Sequence, residues 1–397
     1  MKIALYQPWI YLHGGLERSL LELVTRSRHQ WVVYTGHYEP DHTFAEFANV
    51  DVRVLNATSV TRTIGATLMS AIRVGLQKIP DDEQFDAVVV WCDGIGDLIT
   101  LRNHRAGRPM YNICSTPLRA AFDPIYEQQT LHERKLSYVF AYQCFKHLFR
   151  LIDRVAWSYY DGIIVTSREV RARILYGGLC RDDGKMTMAY PGVQWEAQLS
   201  GISYQPFILL PGRIMWTKNL QLGIESFLRA GLPAPWRLVV AGFVDRKSAG
   251  YLEQLRRMVP AGAAVEFVVN PSDAELQTLY RACSFCLFTP RNEDWGIVPL
   301  EAMNHAKAVV ANASGGPLES VVSGSTGVLI EAADADDWSE VIRELAHDAP
   351  RCQRMGQAGH AHVQQFSWER FVSRVDDALD LGLARRDNRL QLQEQQS

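Results

Sequence analysis

Short apolar runs alternate with longer amphipathic segments along the whole chain. Apolar runs of about four to eight residues are typical of buried strands, and apolar residues at steps of three and four are typical of helices. In the first half the pattern predicts strands at Lys2–Tyr6, Trp31–Tyr34, Val52–Leu55, Ala87–Trp91, Met110–Cys114 and Gly162–Thr166. It predicts helices between them at Leu16–Ser27, Thr63–Lys78 and Glu133–Tyr159. This succession indicates a parallel sheet covered by helices on both faces.

The same rhythm restarts after a polar stretch that ends near Tyr204. Strands are predicted at Phe207–Leu210, Arg237–Ala241, Val265–Val269, Phe285–Phe288 and Ala308–Ala311. Helices are predicted at Leu220–Ala230, Ser248–Met258, Asp273–Arg281, Val298–Ala306, Asp336–Ala346 and Ser367–Leu381. The fold class is therefore α/β, with two Rossmann-like, doubly wound parallel-sheet domains that we expect to face each other across a cleft. The predicted domains are 1–190 and 205–365, followed by a helix over 366–384 that returns toward the first domain and a frayed tail over 385–397.

The composition agrees with two globular domains and excludes several other classes. The chain has 397 residues, which is too many for one ordinary core, and 47% hydrophobic with 21% charged residues exclude wholesale disorder, collagen and coiled coil. No apolar run reaches the roughly 18 residues of a membrane-spanning helix, and the first apolar segment is too short for a signal peptide. Seven scattered cysteines do not suggest a disulfide scaffold, so we expect a reducing, cytoplasmic setting.

The net charge of −3 hides a basic segment. Between Leu98 and Arg181 there are 13 Lys and Arg residues against 6 Asp and Glu, with aromatic residues among them. In the predicted helix Glu133–Tyr159, the cations Lys146, Arg150 and Arg154 recur at steps of four. An ordinary amphipathic helix packed on its own domain would explain the pattern. The alternative is a face for anionic lipid headgroups or an anionic acceptor, from which we predict peripheral contact with the cytoplasmic face of a membrane.

A pair of glycines follows the first predicted strand, in His13-Gly14-Gly15-Leu16. Paired glycines let the backbone approach a ligand closely, and a helix start offers N–H groups to an anion. The pattern is neither the three-glycine dinucleotide fingerprint nor a Walker loop. A tight turn is the alternative to a ligand contact at Gly14 and Gly15, and His13 is either a ligand contact or an ordinary loop histidine.

Two cations lie just after the first predicted strand of the second domain, in Pro211–Asn219. Arg213 and Lys218 stand five residues apart across a predicted strand-to-helix turn. Both can reach one anion, Arg213 as a planar fork and Lys218 as a point charge. Solvated loop charges are the alternative, but ligands of such folds bind at the carboxyl ends of the strands, which favours a binding role.

Two glutamates with seven residues between them, Glu293 and Glu301, belong to the motif Asn292–Met303. Pro299 in the first predicted turn marks a helix start. The backbone N–H groups that can face a phosphate there are those of Gly296, Ile297 and Val298. Carboxylates accept hydrogen bonds on both oxygens, so Glu293 can hold a sugar and Glu301 a ribose. A solvated loop charge and a helix-start carboxylate are the alternatives.

On these motifs the chain resembles the retaining, nucleotide-sugar-dependent glycosyltransferases of family four, which have the two-domain GT-B fold. The segment Pro290–Gly327 resembles the donor half of that family, and Pro211–Asn219 and Gly14–Arg18 stand where the family has its other motifs. The resemblance extends over most of the chain, from Lys2 to Leu381.

Two segments narrow the resemblance to mannosyltransferases. Asn292–Met303, followed by Ser314–Ser320, is similar to the enzymes that build lipid-linked oligosaccharides. Cys114–Arg119 resembles bacterial polysaccharide mannosyltransferases, in which a His usually stands where this chain has Ser115. Ser115, Arg119 and His13 are therefore the candidate acceptor-side residues.

The resemblance implies that Arg213 and Lys218 hold the donor diphosphate, Glu293 lies near the transferred sugar and Glu301 at the ribose. We take Arg213, Lys218 and Glu293 as the catalytic set. We count Gly14 and Gly15 among the donor-binding residues, and we expect the base to contact the backbone near Val269. Transfer with retention is implied, and we assign no nucleophile.

The preferred function is transfer of mannose from GDP-mannose to a growing polysaccharide or polyprenyl-linked glycan, with no cofactor, no metal ion and no nucleic acid. Another hexose from a UDP donor is the first alternative. A nucleotide-sugar epimerase and a non-catalytic glycan-binding relative are the others, and the complete set Arg213, Lys218, Glu293 and Glu301 argues against both.

Two further motifs have spacings that metal sites use. Cys283 and Cys286 form a C-x-x-C without a second pair, which favours buried thiols over a zinc site. Asp334 and Asp336 have the D-x-D spacing of metal-dependent transferases of another fold, but they precede a predicted helix, which favours helix capping.

Overall fold

The computed structural model describes the chain except for residues 57–63, 81–83, 93, 106–107, 133, 246–247, 332–333 and 395–397. The chain divides into two compact units, the first made of Met1–Pro191 with Trp368–Ser397 and the second of Gly192–Ser367. The predicted starts of two helices, Thr63 and Glu133, lie outside the described residues.

The first unit contains a seven-stranded sheet in which neighbouring strands are parallel. The strands are β1 (Lys2–Tyr6), β2 (Gln30–Thr35), β3 (Val52–Val54), β4 (Ala87–Cys92), β5 (Met110–Cys114), β6 (Gly162–Val165) and β7 (Met186–Met188). Their order is β3-β2-β1-β4-β5-β6-β7, so the direction of winding reverses between β1 and β4. β4 and β5 are buried along their whole length, because a parallel sheet covered on both faces needs apolar residues on both.

Among the described residues, seven α-helices of this unit precede the second sheet: α1 (Gly15–Arg26), α2 (Ile64–Leu76), α3 (Thr100–Asn103), α4 (Arg119–Phe122), α5 (Pro124–Leu131), α6 (Leu136–Trp157) and α7 (Arg168–Gly177). Local signals set the ends of α7. The Ser167 hydroxyl accepts a hydrogen bond from Val170 N at 3.0 Å, and Gly178 ends the helix with a φ of 62°.

The second unit contains a six-stranded parallel sheet. Its strands are β8 (Phe207–Pro211), β9 (Arg237–Gly242), β10 (Val265–Val269), β11 (Phe285–Phe288), β12 (Ala308–Asn312) and β13 (Gly327–Ile330). In the order β10-β9-β8-β11-β12-β13, winding reverses between β8 and β11. The carboxyl ends of strands beside such a reversal are the usual ligand site of this architecture.

The helices of the second unit are α8 (Leu220–Ala230), α9 (Ala249–Met258), α10 (Asp273–Ala282), α11 (Ile297–Asn304), α12 (Pro317–Ser320), α13 (Ala335–His347) and α14 (Ala349–Val363). A reciprocal capping box starts α10, in which Ser272 and Glu275 each accept a hydrogen bond from the other's backbone N–H. The predicted fold class, two parallel-sheet Rossmann-like domains, is confirmed.

The last helix, α15 (Trp368–Glu394), belongs to the first unit and packs against α1. The Ser27 hydroxyl donates to Asp376 Oδ1 at 2.6 Å, and Trp91 packs against Phe371 with ring centroids 5.9 Å apart. The sequence predicted the end of this helix near Leu381 and a frayed tail from 385, which is wrong for residues 385–394. That stretch contains Arg, Gln and Leu residues, which have high intrinsic helix propensity.

Candidate active site

The loops that carry the predicted donor residues meet at the carboxyl ends of three neighbouring strands, β8, β11 and β12. The Thr289 hydroxyl donates to the Lys218 carbonyl oxygen at 2.9 Å. The Asn312 side-chain amide donates to the carbonyl oxygens of Thr289 and Pro290 at 2.6 and 3.0 Å. Thr289 and Asn312 are buried, so water does not compete for these bonds and the three loops are held in a fixed relation.

Lys218 and Glu293 form an ion pair in this cluster. Lys218 Nζ lies 2.7 Å from Glu293 Oε1, and the two side chains are only 20% and 14% exposed. Asn219, directly after Lys218, has a φ of 51°, a left-handed conformation that Asn tolerates better than most residues. This turn leads the chain into α8 and leaves Lys218 at the loop that faces Glu293.

Two glycines let the loop after β12 lie directly against the loop after β11. Gly316 N donates to the Glu293 carbonyl oxygen at 2.9 Å. A Cβ atom on Gly315 would lie 2.1 Å from that same oxygen, and a Cβ atom on Gly316 would lie 1.9 Å from the Trp295 carbonyl oxygen. The loop 314–316, which belongs to the segment Ser314–Ser320 of the resemblance, therefore sets the backbone position of Glu293.

Helix α11 begins directly after Gly296, which has a φ of 81°. The first N–H groups of a helix have no carbonyl partner within it and form the positive end of the helix dipole. Gly296, Ile297 and Val298 therefore lie at this helix start, a few residues after Glu293. Their contact with a phosphate stays a prediction.

Glu301, in the second turn of α11, accepts a hydrogen bond from Tyr280 of α10, whose hydroxyl lies 2.7 Å from Glu301 Oε2. Burial and the charge of Glu301 raise the pKa of Tyr280 well above its ordinary value, so the phenol keeps its proton and acts as a donor. Tyr280 is not among the site residues that the sequence predicts. Its only signal was an aromatic residue near the end of a helix, which is common in cores.

Arg213 and Val269 lie at the same carboxyl edge of the sheet as the ion pair but are not joined to it. Arg213 follows Gly212, which has a φ of 139°, and is exposed; its guanidinium makes no hydrogen bond or ion pair with the residues that the structure describes. Val269 ends β10, two strands away from β8, and pairs with Gly242. Their predicted roles toward diphosphate and base remain predictions.

In the first unit, the glycine pair lies where α1 leaves β1. Gly14 is the N-cap and α1 starts at Gly15. A Cβ atom on Gly14 would lie 2.5 Å from Glu17 Oε2, so a side chain here would displace the Glu17 carboxylate. His13 is exposed, and its ring packs edge-on against Phe44 at 4.9 Å, which orients it beside the glycines.

The other two acceptor-side candidates have partners within the first unit. Ser115 Oγ accepts a hydrogen bond from Trp91 Nε1 at 2.8 Å. Arg119 Nε and Nη2 each lie 2.8 Å from Oδ2 of the buried Asp123. Ser115 thus supports a buried tryptophan and Arg119 neutralises a buried carboxylate, so both act in the local structure.

The structure corrects the interpretation of the cations on α6. Lys146 is buried, and its Nζ lies 2.7 Å from both carboxylate oxygens of Glu127 in α5. Two arginines donate to backbone carbonyl oxygens, Arg150 to Ala121 at 2.7 Å and Arg154 to Gly177 at 2.8 and 3.0 Å. The three cations therefore tie α6 to neighbouring helices and do not form a free charged face.

The solvent-facing side of α6 is mixed, with large apolar side chains beside the exposed His147 and Arg154. Six of its side chains are between 41% and 84% exposed, namely Leu136, Phe140, Leu148, Leu151, Ile152 and Val155. We call these six residues the apolar face of α6. None of the described helices combines the length and the hydropathy needed to cross a membrane.

The two motifs set aside as metal sites are structural. Cys283 and Cys286 are buried free thiols with their sulfur atoms 3.7 Å apart. The Asp334 carboxylate accepts a hydrogen bond from Asp336 N at 2.9 Å and caps α13. Among the described residues, no three His, Cys, Asp or Glu side chains are grouped so that they could hold a metal ion.

The amino-acid sequence is similar to known proteins over most of its length. Residues 195–362 match the family model described as glycosyl transferases group 1. The human alpha-1,3/1,6-mannosyltransferase ALG2 is 29% identical, with 92% of this chain and 94% of the human protein covered. The ALG2 protein of Rhizomucor pusillus is 24% identical over 91% of this chain and 88% of its own length.

Solved structures resemble the whole chain at low sequence identity. Alr3699/HepE of Anabaena, crystallised with UDP and glucose, superposes with a TM-score of 0.72 at 17% identity and covers 96% of this chain and 99% of its own. Sucrose-phosphate synthase of Thermosynechococcus elongatus superposes with a TM-score of 0.68 at 17% identity, covering 98% of both chains. At this identity the likeness establishes the fold.

Proposed function

We propose that this chain is a group 1 glycosyltransferase of the two-domain GT-B fold, which transfers a mannosyl group from GDP-mannose to a saccharide acceptor with retention. The observation that carries the choice of mannose is the similarity to alpha-1,3/1,6-mannosyltransferases, which extends over 91–93% of the chain. The Lys218–Glu293 pair, beside the start of α11, supports a donor site for a charged diphosphate attached to a polyol.

The chemistry expected of these residues follows from their charges. When the bond between the sugar and the diphosphate breaks, negative charge grows on the departing phosphate. Lys218 has three N–H donors, so it can hold Glu293 and a phosphate oxygen together. The exposed guanidinium of Arg213 adds a second cation, and the N–H groups at the start of α11 add preorganised dipoles. Glu293 then accepts hydrogen bonds from hydroxyls of the transferred sugar.

The donor is tested by thermal-shift titration with GDP, UDP and ADP, followed by transfer assays with GDP-mannose and UDP-hexoses. We expect GDP to raise the melting temperature most and GDP-mannose to support transfer. Preference for UDP and a UDP-hexose would refute the choice of GDP-mannose but leave a hexosyltransferase. Binding without transfer or hydrolysis for any donor would favour a non-catalytic glycan-binding protein.

We propose that the acceptor is a growing polysaccharide or a polyprenyl-linked glycan, and that the first unit binds it. The location of most of the predicted donor residues in the second unit, apart from Gly14 and Gly15, supports this division. Short oligomannosides with and without a polyprenyl diphosphate distinguish the two acceptors. A marked preference for the lipid-linked form is the expected result, and equal use of both would point to a polysaccharide.

We propose that transfer needs no metal ion, because Lys218, Arg213 and the helix start supply the positive charge that a divalent ion supplies in other transferases. Activity after treatment with EDTA should equal that of untreated enzyme. Loss of activity on chelation, restored by Mg²⁺ or Mn²⁺, would contradict this.

We propose that the protein associates with the cytoplasmic face of a membrane through the apolar face of α6. This replaces the predicted cationic stripe as the contact surface. Exposed Arg134 and Lys135 at the beginning of the helix add positive charge next to the apolar side chains. An amphipathic helix with such an exposed face lies in the plane of the lipid headgroups.

A further inference from the structure

Tyr280 contacts the carboxylate of Glu301, one of the two predicted donor glutamates, from the interior of the second unit. Its side chain is buried, and its hydroxyl donates to Glu301 Oε2 at 2.7 Å. A hydrogen bond from a hydroxyl to a carboxylate is charge-assisted and belongs to the stronger class. Because Tyr280 is on α10 and Glu301 on α11, this bond fixes the carboxylate relative to a second helix and not only to its own.

His305 holds the Tyr280 ring in place. The two rings stack with centroids 5.3 Å apart and planes inclined by 12°. His305 Nδ1 lies 2.8 Å from the Glu301 carbonyl oxygen, and His305 Nε2 lies 2.5 Å from Gln277 Oε1. Burial lowers the pKa of His305, so the ring is neutral and has a single N–H. The Glu301 carbonyl oxygen can only accept, so the bond to it requires a proton on Nδ1.

A continuous chain of contacts therefore runs from Gln277 through His305 and Tyr280 to Glu301. It touches Glu301 twice, at the backbone carbonyl through His305 and at the carboxylate through Tyr280. Two such restraints on one residue leave its carboxylate little freedom to rotate. A side chain ordered before the ligand arrives loses less entropy on binding than a mobile one.

We propose that Tyr280, supported by His305 and Gln277, is a positioning residue that orients the Glu301 carboxylate toward the ribose hydroxyls of the nucleotide donor. This inference rests on the proposed function, in which Glu301 binds the ribose. It predicts that the Tyr280 hydroxyl contributes to affinity only through the ribose hydroxyls. Removing this hydroxyl should leave the contributions of the diphosphate and the base to affinity unchanged.

The test compares the binding of GDP with that of 2′,3′-dideoxy-GDP by calorimetry. If the transfer assays select a UDP donor, the corresponding uridine pair replaces it. The wild-type protein should bind GDP about tenfold more tightly than the dideoxy compound, the scale of one or two hydrogen bonds. Tyr280→Phe keeps the ring and its stacking, and should lose most of that preference while binding dideoxy-GDP as the wild type does.

Two further variants complete the experiment. Glu301→Gln should lose the same preference, and adding Tyr280→Phe to it should cause no further loss, because coupled residues are not additive. Tyr204→Phe is the matched control, since it removes a hydroxyl that donates to a backbone carbonyl, that of Ala306, at 2.8 Å in the same unit. Its preference for GDP should equal that of the wild type.

The outcomes separate this inference from the function on which it rests. Equal weakening of GDP and dideoxy-GDP in Tyr280→Phe, or additive effects in the double variant, would overturn the positioning role of Tyr280. A wild-type protein that binds both compounds equally would overturn it as well, while leaving the diphosphate site intact. If no nucleoside diphosphate binds, the proposed function itself fails. Should Tyr280→Phe not fold, Gln277→Ala takes its place, and an unchanged ribose preference there would overturn the inference.

Discussion

Lys218 and Glu293 are 75 positions apart in the sequence, and their side chains meet at 2.7 Å between Nζ and Oε1. The contact joins the loop after β8 to the loop after β11, two strands that are neighbours in the sheet. The pair is mostly shielded from water, so its attraction is less screened than that of a surface ion pair. The lysine is thereby held at the position where the proposed diphosphate would bind.

Removing this lysine should impair the reaction more than the fold. Lys218→Ala should reduce kcat by about 10²–10³, the loss expected for one preorganised group that stabilises a developing negative charge. Arg213→Ala should reduce it by a similar factor. Both are measured with the nucleotide sugar selected in the donor screen, with circular dichroism to verify folding.

Arg229→Ala is the matched control for these two variants. Arg229 also forms ion pairs in the second unit, with Glu225 and Asp336, but all three side chains are exposed. Exposed pairs contribute little to stability, and this one lies outside the proposed site, so kcat should be unchanged. A folded Lys218→Ala protein with wild-type turnover would remove the lysine from the reaction.

Turnover should depend on the close approach of the glycine loop 314–316, which follows β12, to Glu293. Gly315→Ala places a methyl group 2.1 Å from the Glu293 carbonyl oxygen, at a residue with a φ of 66°. The loop must move, and a displacement of about 1 Å at a reacting group can reduce turnover about 10²-fold. Kinetics and thermal unfolding of this variant measure the two effects.

Gly324→Ala separates the steric effect from the backbone strain. Gly324 also has a positive φ, 79°, but its added Cβ would have no neighbour within 4 Å. Both variants bear the left-handed strain, about 1–2 kcal/mol. Only Gly315→Ala should lose activity, and similar kinetics in the two variants would mean that the contact with Glu293 is irrelevant to the reaction.

The sequence predicted the architecture well where strands are long and apolar. Lys2–Tyr6, Met110–Cys114 and Val265–Val269 are strands with the predicted bounds. The edge strands β7 and β13 were not predicted. β7 is three half-buried residues with a threonine at its centre, and β13 begins at a glycine, so neither forms a clear apolar run.

The site was predictable only in part, because motifs reveal ligand-facing residues and not what supports them. Glu293, Lys218 and the glycines stand in loops after strands, where the pattern directs attention. From the interior, Tyr280 bonds to Glu301 and Asn312 bonds to the backbone that follows β11. These contacts depend on which helices and strands become neighbours. The cations of α6 were misread for a related reason, since periodicity cannot distinguish a charge facing water from one paired with another helix.

A buried carboxyl group in the first unit should make stability depend on pH. Asp153 of α6 is buried, and burial together with the nearby Asp97 raises its pKa well above the ordinary value. Its folded-state pKa is thus higher than its unfolded-state pKa, so its contribution to stability is complete below the unfolded value of about 3.8 and is lost as pH rises through the folded value.

Asp153→Asn, which resembles the protonated acid and does not titrate, should therefore raise the melting temperature at pH 8 by a few degrees, with a gain that shrinks toward pH 4. Asp41→Asn, at an exposed carboxylate in the same unit, should leave the melting temperature unchanged at every pH. A gain from Asp153→Asn that is the same at pH 4 and pH 8 would show that the charge of Asp153 is not its cause.

Membrane binding through the apolar face of α6 should depend more on apolar side chains and less on salt than binding through a cationic stripe would. Burying an exposed leucine in the lipid interface contributes about 1.5–3 kcal/mol, so three apolar side chains outweigh the attraction of the few neighbouring cations. Leu148→Ser, Leu151→Ser and Val155→Ser together should abolish sedimentation with anionic vesicles, whereas high salt should weaken wild-type binding only in part.

The control replaces three exposed apolar side chains of the second unit by serine in the same way. The substitutions are Met258→Ser, Leu318→Ser and Val322→Ser, at side chains that are 39–57% exposed. That triple variant should sediment like the wild type. Changing Lys146, Arg150 and Arg154 to Glu should chiefly lower the melting temperature, because these cations bond to neighbouring helices. If the wild-type protein stays in the supernatant with anionic vesicles even at low salt, the apolar face of α6 does not bind lipid, and a soluble acceptor is the better proposal.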